Sequence, residues 1–194
     1  MTAHFAMFRW LTVLCLFTIF ITSARADVVK PALVEISAYT HGEVVVDLRV
    51  SLEALLTGIN AQYKNTQEAP TADEYDVLRK LSAEKLRQAF SSFESRLLDE
   101  IRLTADDSPV SLEISLIDIP APGYTKVPRI STVILQGSLP TDTAILNWYY
   151  PAAFGDNAVR VRQVDERLDR WHWSEWQWIR KDVPSENFSL AELF

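Results

Sequence analysis

The sequence predicts a mainly β fold with a helical insert (α+β), an antiparallel β-sandwich-like domain. Three observations predict it. Apolar residues recur with a period of two over 34–38, 44–50, 110–116, 133–139 and 144–150, and a period of two is that of a half-buried strand. Turn residues punctuate these runs at short spacing, as they do in sandwiches. Between residues 51 and 98 the apolar period lengthens to that of a helix.

Ahead of the first strand lies a targeting segment. Met1 to Phe8 carries no acid, Arg9 supplies positive charge, and Trp10 to Thr22 is an uncharged apolar run of 13 residues. Ser23-Ala24-Arg25-Ala26 then offers small residues. This is the layout of a secretory signal peptide over residues 1–26, cleaved after Ala26. The alternative is an N-terminal membrane anchor, for which the run is short of the roughly 20 apolar residues a spanning helix needs. Cys15 sits inside the run, behind bulky Leu14, and is read as part of the discarded signal. The expected location is periplasmic or extracellular.

The remaining 168 residues, 27–194, suit a single β-rich extracytoplasmic domain. They contain no cysteine, which excludes disulfide staples and cysteine-based zinc, redox or nucleophile chemistry. Loss of Arg9 and Arg25 leaves 17 basic against 26 acidic residues, net −9. Such a balance repels nucleic acid and anionic head groups.

In chain order, 34–38 and 44–50 flank His41-Gly42-Glu43 and read as an antiparallel hairpin. Ser51 caps a helix at about 52–63. Thr71 and Glu74 form a capping box for a helix at about 72–81. Ser82 caps a third, at about 83–98, whose stripe of Leu86, Phe90, Phe93 and Leu97 packs against the sheet. The strand pattern puts 44–50 beside 110–119, across this insert. Ala105 to Pro109 is a turn, and Val110 to Leu116 is the most regular alternation in the chain. Residues 129–151 read as a half-buried hairpin closed at Leu139-Pro140-Thr141-Asp142, with Val133, Leu135 and Leu139 sharing one face of its first strand and Ala144, Leu146, Trp148 and Tyr150 the core face of its second. Val159 and Val161 alternate with Arg160 and Arg162, and Trp171 to Ile179 is an aromatic strand.

Catalytic patterns are sparse. His41 and His172 lie far apart in sequence and without ligand spacing, so no metal site is assigned. There is no G-x-S-x-G elbow and no phosphate-cradling glycine pattern. Asp106-Asp107 and Asp165-Glu166 fall in turns and read as solvated. No catalytic residue and no cofactor is assigned. The unusual feature is WHWSEWQW, with Trp171, Trp173, Trp176 and Trp178 within eight residues. A regular strand sends the first two to one face and the last two to the other. A bulge near Ser174-Glu175 gathers all four on one face. On one reading a pair fills the sandwich and the other pair covers an edge. On the other they form an exposed patch for a partner domain, a membrane interface or a sugar.

Four stretches carry a resemblance: PALVEISAYTHGEVVVDLRVSLEALL, DEYDVLRKLSAEKLRQAF, RISTVILQGSLP and WQWIRKDVPSENFSL. Together they resemble the extracytoplasmic N-terminal region of HupE/UreJ-like membrane proteins. In that family the region precedes a multi-span membrane domain linked to nickel or cobalt handling. No spanning segment and no histidine-rich motif follows here, so the resemblance implies an accessory or interaction domain with a multi-span membrane partner, and no metal transport. A small-ligand or carbohydrate-binding protein using exposed tryptophans is the alternative.

Overall fold

A computed structural model describes residues 28–125, 127–168 and 170–193, with the side chains of Arg170, Trp171 and Leu193 outside that description. The expected signal peptide lies outside the described residues. The chain folds as a sandwich of two sheets with a helical insert, as the alternating runs predict. The large sheet has the strand order 177–179, 157–165, 32–39, 43–50, 131–138, 112–118, with 170–173 also paired to 157–165; the small sheet has the order 188–189, 145–149, 102–105, 108–110.

The strands β1 (Ala32–Tyr39) and β2 (Glu43–Val50) form the expected hairpin, with Gly42 at φ 95° in its turn. Four short helices follow: α1 (Leu52–Thr57), α2 (Ala72–Leu78), α3 (Ala83–Phe90) and α4 (Glu94–Glu100). Then come β3 (Arg102–Ala105), β4 (Ser108–Val110), β5 (Leu112–Asp118), β6 (Ser131–Ser138) and β7 (Ile145–Tyr149). The chain ends with β8 (Asn157–Asp165), β9 (Arg170–Trp173), β10 (Gln177–Ile179) and β11 (Phe188–Ser189).

Several local expectations are corrected. The helix expected at 52–63 stops at Thr57. Gly58 takes the left-handed conformation, φ 68°, and its N–H bonds the carbonyls of Ala54 and Leu55. The capping box is not formed: Thr71 makes no side-chain cap, and its hydroxyl donates to the Thr57 carbonyl at 2.9 Å. The helix expected at 83–98 is two helices. The Ser91 and Ser92 hydroxyls donate to the carbonyls of Gln88 and Ala89, three residues back, and so compete with continuation of the ladder. Ser51 and Ser82 do cap, accepting from the N–H groups of Ala54 and Lys85.

The hairpin expected over 129–151 is also corrected. Both strands exist, with Leu139 only half-buried and Ala144 exposed at the ends nearest the connection, but β6 lies in the large sheet and β7 in the small one. The Pro140 connection therefore arches across the core. Val133, Leu135, Leu146, Trp148 and Tyr150 are fully buried, and an arch sets these two apolar faces against each other, where a hairpin would set them side by side. The regular run from Val110 is split the same way: β4 pairs with β3, then β5 pairs with β6 in the other sheet. A register shift between Ile114 and Leu116 turns Leu116 outward, 56% exposed. Because β6 pairs with both β2 and β5, strands 44–50 and 110–119 are not neighbours.

The main core cluster joins the inner faces of both sheets to the helical stripe of Leu86, Phe90, Phe93 and Leu97, and Ala54, Ile59, Ala69 and Tyr75 form a second, smaller cluster within the insert. Phe90, Phe93, Phe154 and Tyr150 follow one another in ring contact through it, at centroid separations of 5.4 to 5.8 Å. One charged pair is buried with it. Glu53 is fully buried and accepts from Arg129 Nε at 2.8 Å. Arg129 also donates to the carbonyls of Leu78, Leu81 and Pro120, so it ties the end of α2 and the loop after β5 to α1. Among the described residues no helix is long and apolar enough to cross a membrane.

Candidate interaction surface

The outer face of the large sheet positions the aromatic run. Strand β8 pairs in parallel with β1, which sets Arg160 beside Glu35 and Arg162 beside Ser37. Strand β2, on the other side of β1, sets Asp47 opposite Glu35 and Arg49 opposite Leu33. All alternate with buried residues, so they share the face away from the core.

Glu35 is the hub of this face. Its side chain is 15% exposed and receives both Arg49 and Arg160 as ion-pair partners. Arg160 Nε donates to Glu35 Oε1 at 2.8 Å, and Arg162 Nε donates to Ser37 Oγ at 2.8 Å. Asp47 stands 3.7 Å from Arg49 Nε. Burial raises the Asp47 pKa above the usual carboxylate range; Arg49 opposes that rise and Glu35 adds to it.

The tryptophans close over these arginines. Trp173 pairs with Arg162 and Gln177 with Val159, so the aromatic edge carries one residue more than β8 between those pairs. That bulge occupies Ser174 to Trp176, and the Val161 N–H donates to Ser174 Oγ at 3.0 Å within it. The extra residue places Trp178, which pairs with Ala158, on the same face as Trp173. The Arg160 guanidinium lies between Trp173 and Trp176, 4.2 and 4.4 Å from their ring centres, and Arg162 lies 4.7 Å from Trp173. Trp173 and Trp176 are half-buried by this stacking, whereas Trp178 is 58% exposed. Thus Trp173, Trp176 and Trp178 gather on the outer face. The Trp171 side chain lies outside the described residues; its backbone pairs with Val164.

The remaining candidates are dispersed. His41 is exposed and reaches Glu43 at 3.3 Å, and His172 is exposed on β9. Among the described residues no group of three or more His, Cys, Asp or Glu is placed to hold a metal ion. The acid pairs are not simply solvated. Asp106 accepts from the N–H groups of Ala144 and Ile145, and Asp165 is buried and accepts from the Arg167 N–H. Both acids serve the backbone. Sequence reasoning missed Glu35 and its arginines as a group. The alternation of Arg160 and Arg162 was visible, but the parallel β1–β8 pairing that brings them to Glu35 spans more than a hundred residues.

Neither protein-family models nor curated protein sequences give a match to this chain.

Proposed function

We propose that the chain is an exported, non-catalytic accessory module that docks on a partner through the tryptophan-bearing edge of its large sheet. The observation that carries this reading is Trp178. It is 58% exposed, beside an arginine–tryptophan stack that holds its strand in place. Exposed, preorganised tryptophans are the side chains that contribute most to protein interfaces. On this face Glu35 is paired with Arg49 and Arg160, an arrangement that suits recognition better than proton transfer. The inferred compartment is periplasmic or extracellular, supported by the tripartite layout of residues 1–26. The inferred partner is a multi-span membrane protein of the HupE/UreJ-like kind, supported by the four sequence stretches.

A carbohydrate platform built on these tryptophans has less support. Arg160 already occupies a face of both Trp173 and Trp176, which leaves Trp178 as the exposed indole among the described ones.

Fractionation of the tagged full-length chain tests the proposal. The expected product begins at Asp27 and co-sediments with membranes, and Trp178→Ser releases it. Cytoplasmic protein still beginning at Met1 would contradict the proposal.

A further inference from the structure

The outer face of the small sheet carries a groove that neither the aromatic edge nor the core uses. Its volume is about 580 Å³, within the range of small-ligand sites. The floor is β3 and β7, where Arg102 pairs with Tyr149 and Thr104 with Asn147. The segment after β10 forms one wall. It is pinned to β7 by the Ser185 N–H on the Trp148 carbonyl at 2.7 Å and by the Trp148 N–H on Ser185 Oγ at 2.9 Å. Asp107, in the β3–β4 turn, also lines the groove.

The polar groups here are held in place. The Tyr149 hydroxyl donates to Asp182 Oδ1 at 2.8 Å, and the Ala152 N–H donates to the same oxygen at 2.9 Å. These bonds, the Ala152 one foremost, hold the Asp182 pKa below the usual range. They leave Asp182 Oδ2 as an acceptor. Asn147 Nδ2 donates to the Ser185 carbonyl at 3.3 Å and to Asn187 Oδ1 at 2.8 Å, which leaves Asn147 Oδ1 to accept and Asn187 Nδ2 to donate. Arg102 lies 3.8 Å from the Tyr149 ring centre, a stack that keeps its planar donors at the groove.

We propose that this groove binds a neutral mono- or disaccharide. A sugar hydroxyl both donates and accepts, and the groove sets carboxylate and amide acceptors among amide and guanidinium donors. An apolar ligand would leave these groups unpaired. Anions are disfavoured, because two carboxylates outnumber the one guanidinium and the whole chain carries a formal net charge of −7. The groove is lined by none of Trp173, Trp176 and Trp178, although its wall follows β10 directly in the chain.

Saturation-transfer NMR on the full chain tests this, with cellobiose, maltose, lactose and chitobiose as probes and acetate and tetramethylammonium as charged controls. Transfer to at least one disaccharide is expected at roughly millimolar concentration. Asn187→Ala and Asp107→Asn should each weaken binding by about tenfold or more without changing the melting temperature. Asparagine tolerates the positive φ of position 107, so the second variant keeps the turn. Trp178→Ser should leave binding unchanged. No transfer to any of the four sugars, stronger binding of either charged control, or loss of binding through Trp178→Ser alone would each overturn the proposal.

Discussion

At the scale of single residues, the sharpest contrast lies along β7. Trp148 is fully buried between the sheets, whereas Asn147 and Tyr149 sit on the opposite, half-buried face. Trp148→Ala should therefore cost about 3–5 kcal/mol through the cavity it leaves. Asn147→Ala and Tyr149→Ala should cost much less, and denaturant melts of the three variants check this ordering. The period of two was enough to read this face from the sequence. It was not enough for Glu53, whose position on α1 reads as a surface acid. Only the fold brings Arg129, 76 residues on, against it at 2.8 Å. Arg129→Met leaves a buried carboxylate and frees the Leu78 and Leu81 carbonyls, and should cost about 3–5 kcal/mol. Adding Glu53→Leu should recover much of that loss, and a double-mutant cycle measures how much. Asp47 makes a pH prediction. Its folded pKa is raised, chiefly by burial, so its contribution to stability is fullest at low pH and is lost as pH rises through the folded pKa. Asp47→Asn should raise the melting temperature at pH 7, and the gain should fade as both states of the wild type become protonated.

At the scale of elements, the bulge in the aromatic edge decides what the chain presents. A deletion of Glu175 removes the extra residue and lets 173–178 pair continuously with β8, with Trp178 still opposite Ala158 and Ile179 still opposite Asn157. Trp178 should therefore stay on the outer face and Ile179, 5% exposed, on the inner one. Iodide quenching of tryptophan emission should be retained in this variant, and a marked fall would show that the register on the two sides of the bulge is not the one described. Element types were legible wherever periodicity was long: the β1–β2 hairpin, the buried stripe of α3 and α4, and the alternation of β5 to β8. Sheet membership was not, because the alternation in Val110 to Leu116 is the same whether the run stays in one sheet or crosses to the other. The crossing rests on a contact far away in sequence. At Gly137 on β6 a Cβ would stand 2.5 Å from the Ser111 carbonyl oxygen, so the absence of a side chain there lets the chain pass from β4 to β5. Helix ends were legible only in part. Ser51 and Ser82 cap as their types suggest, whereas Gly58 and Ser91-Ser92 end helices that the apolar period alone would continue.

At the scale of the whole molecule, the sandwich separates two surfaces. The core is filled by the inner faces and the helical insert, so the outer face of each sheet is left for recognition. One carries the arginine–tryptophan stack with exposed Trp178, the other the polar groove beside Tyr149. The tryptophan cluster could be found in the sequence. The direction of its members could not, because it depends on one unpaired residue in the bulge. We propose that the domain meets a membrane-embedded partner at the Trp178 edge. Photo-crosslinking in living cells tests it most directly, with benzoylphenylalanine placed at Trp178 and, as a control, at Val77, an equally exposed apolar residue on α2 (58% and 59%). An adduct with an integral membrane protein is expected from position 178 and none from position 77. Equal adducts from both positions, or none from either, would contradict it.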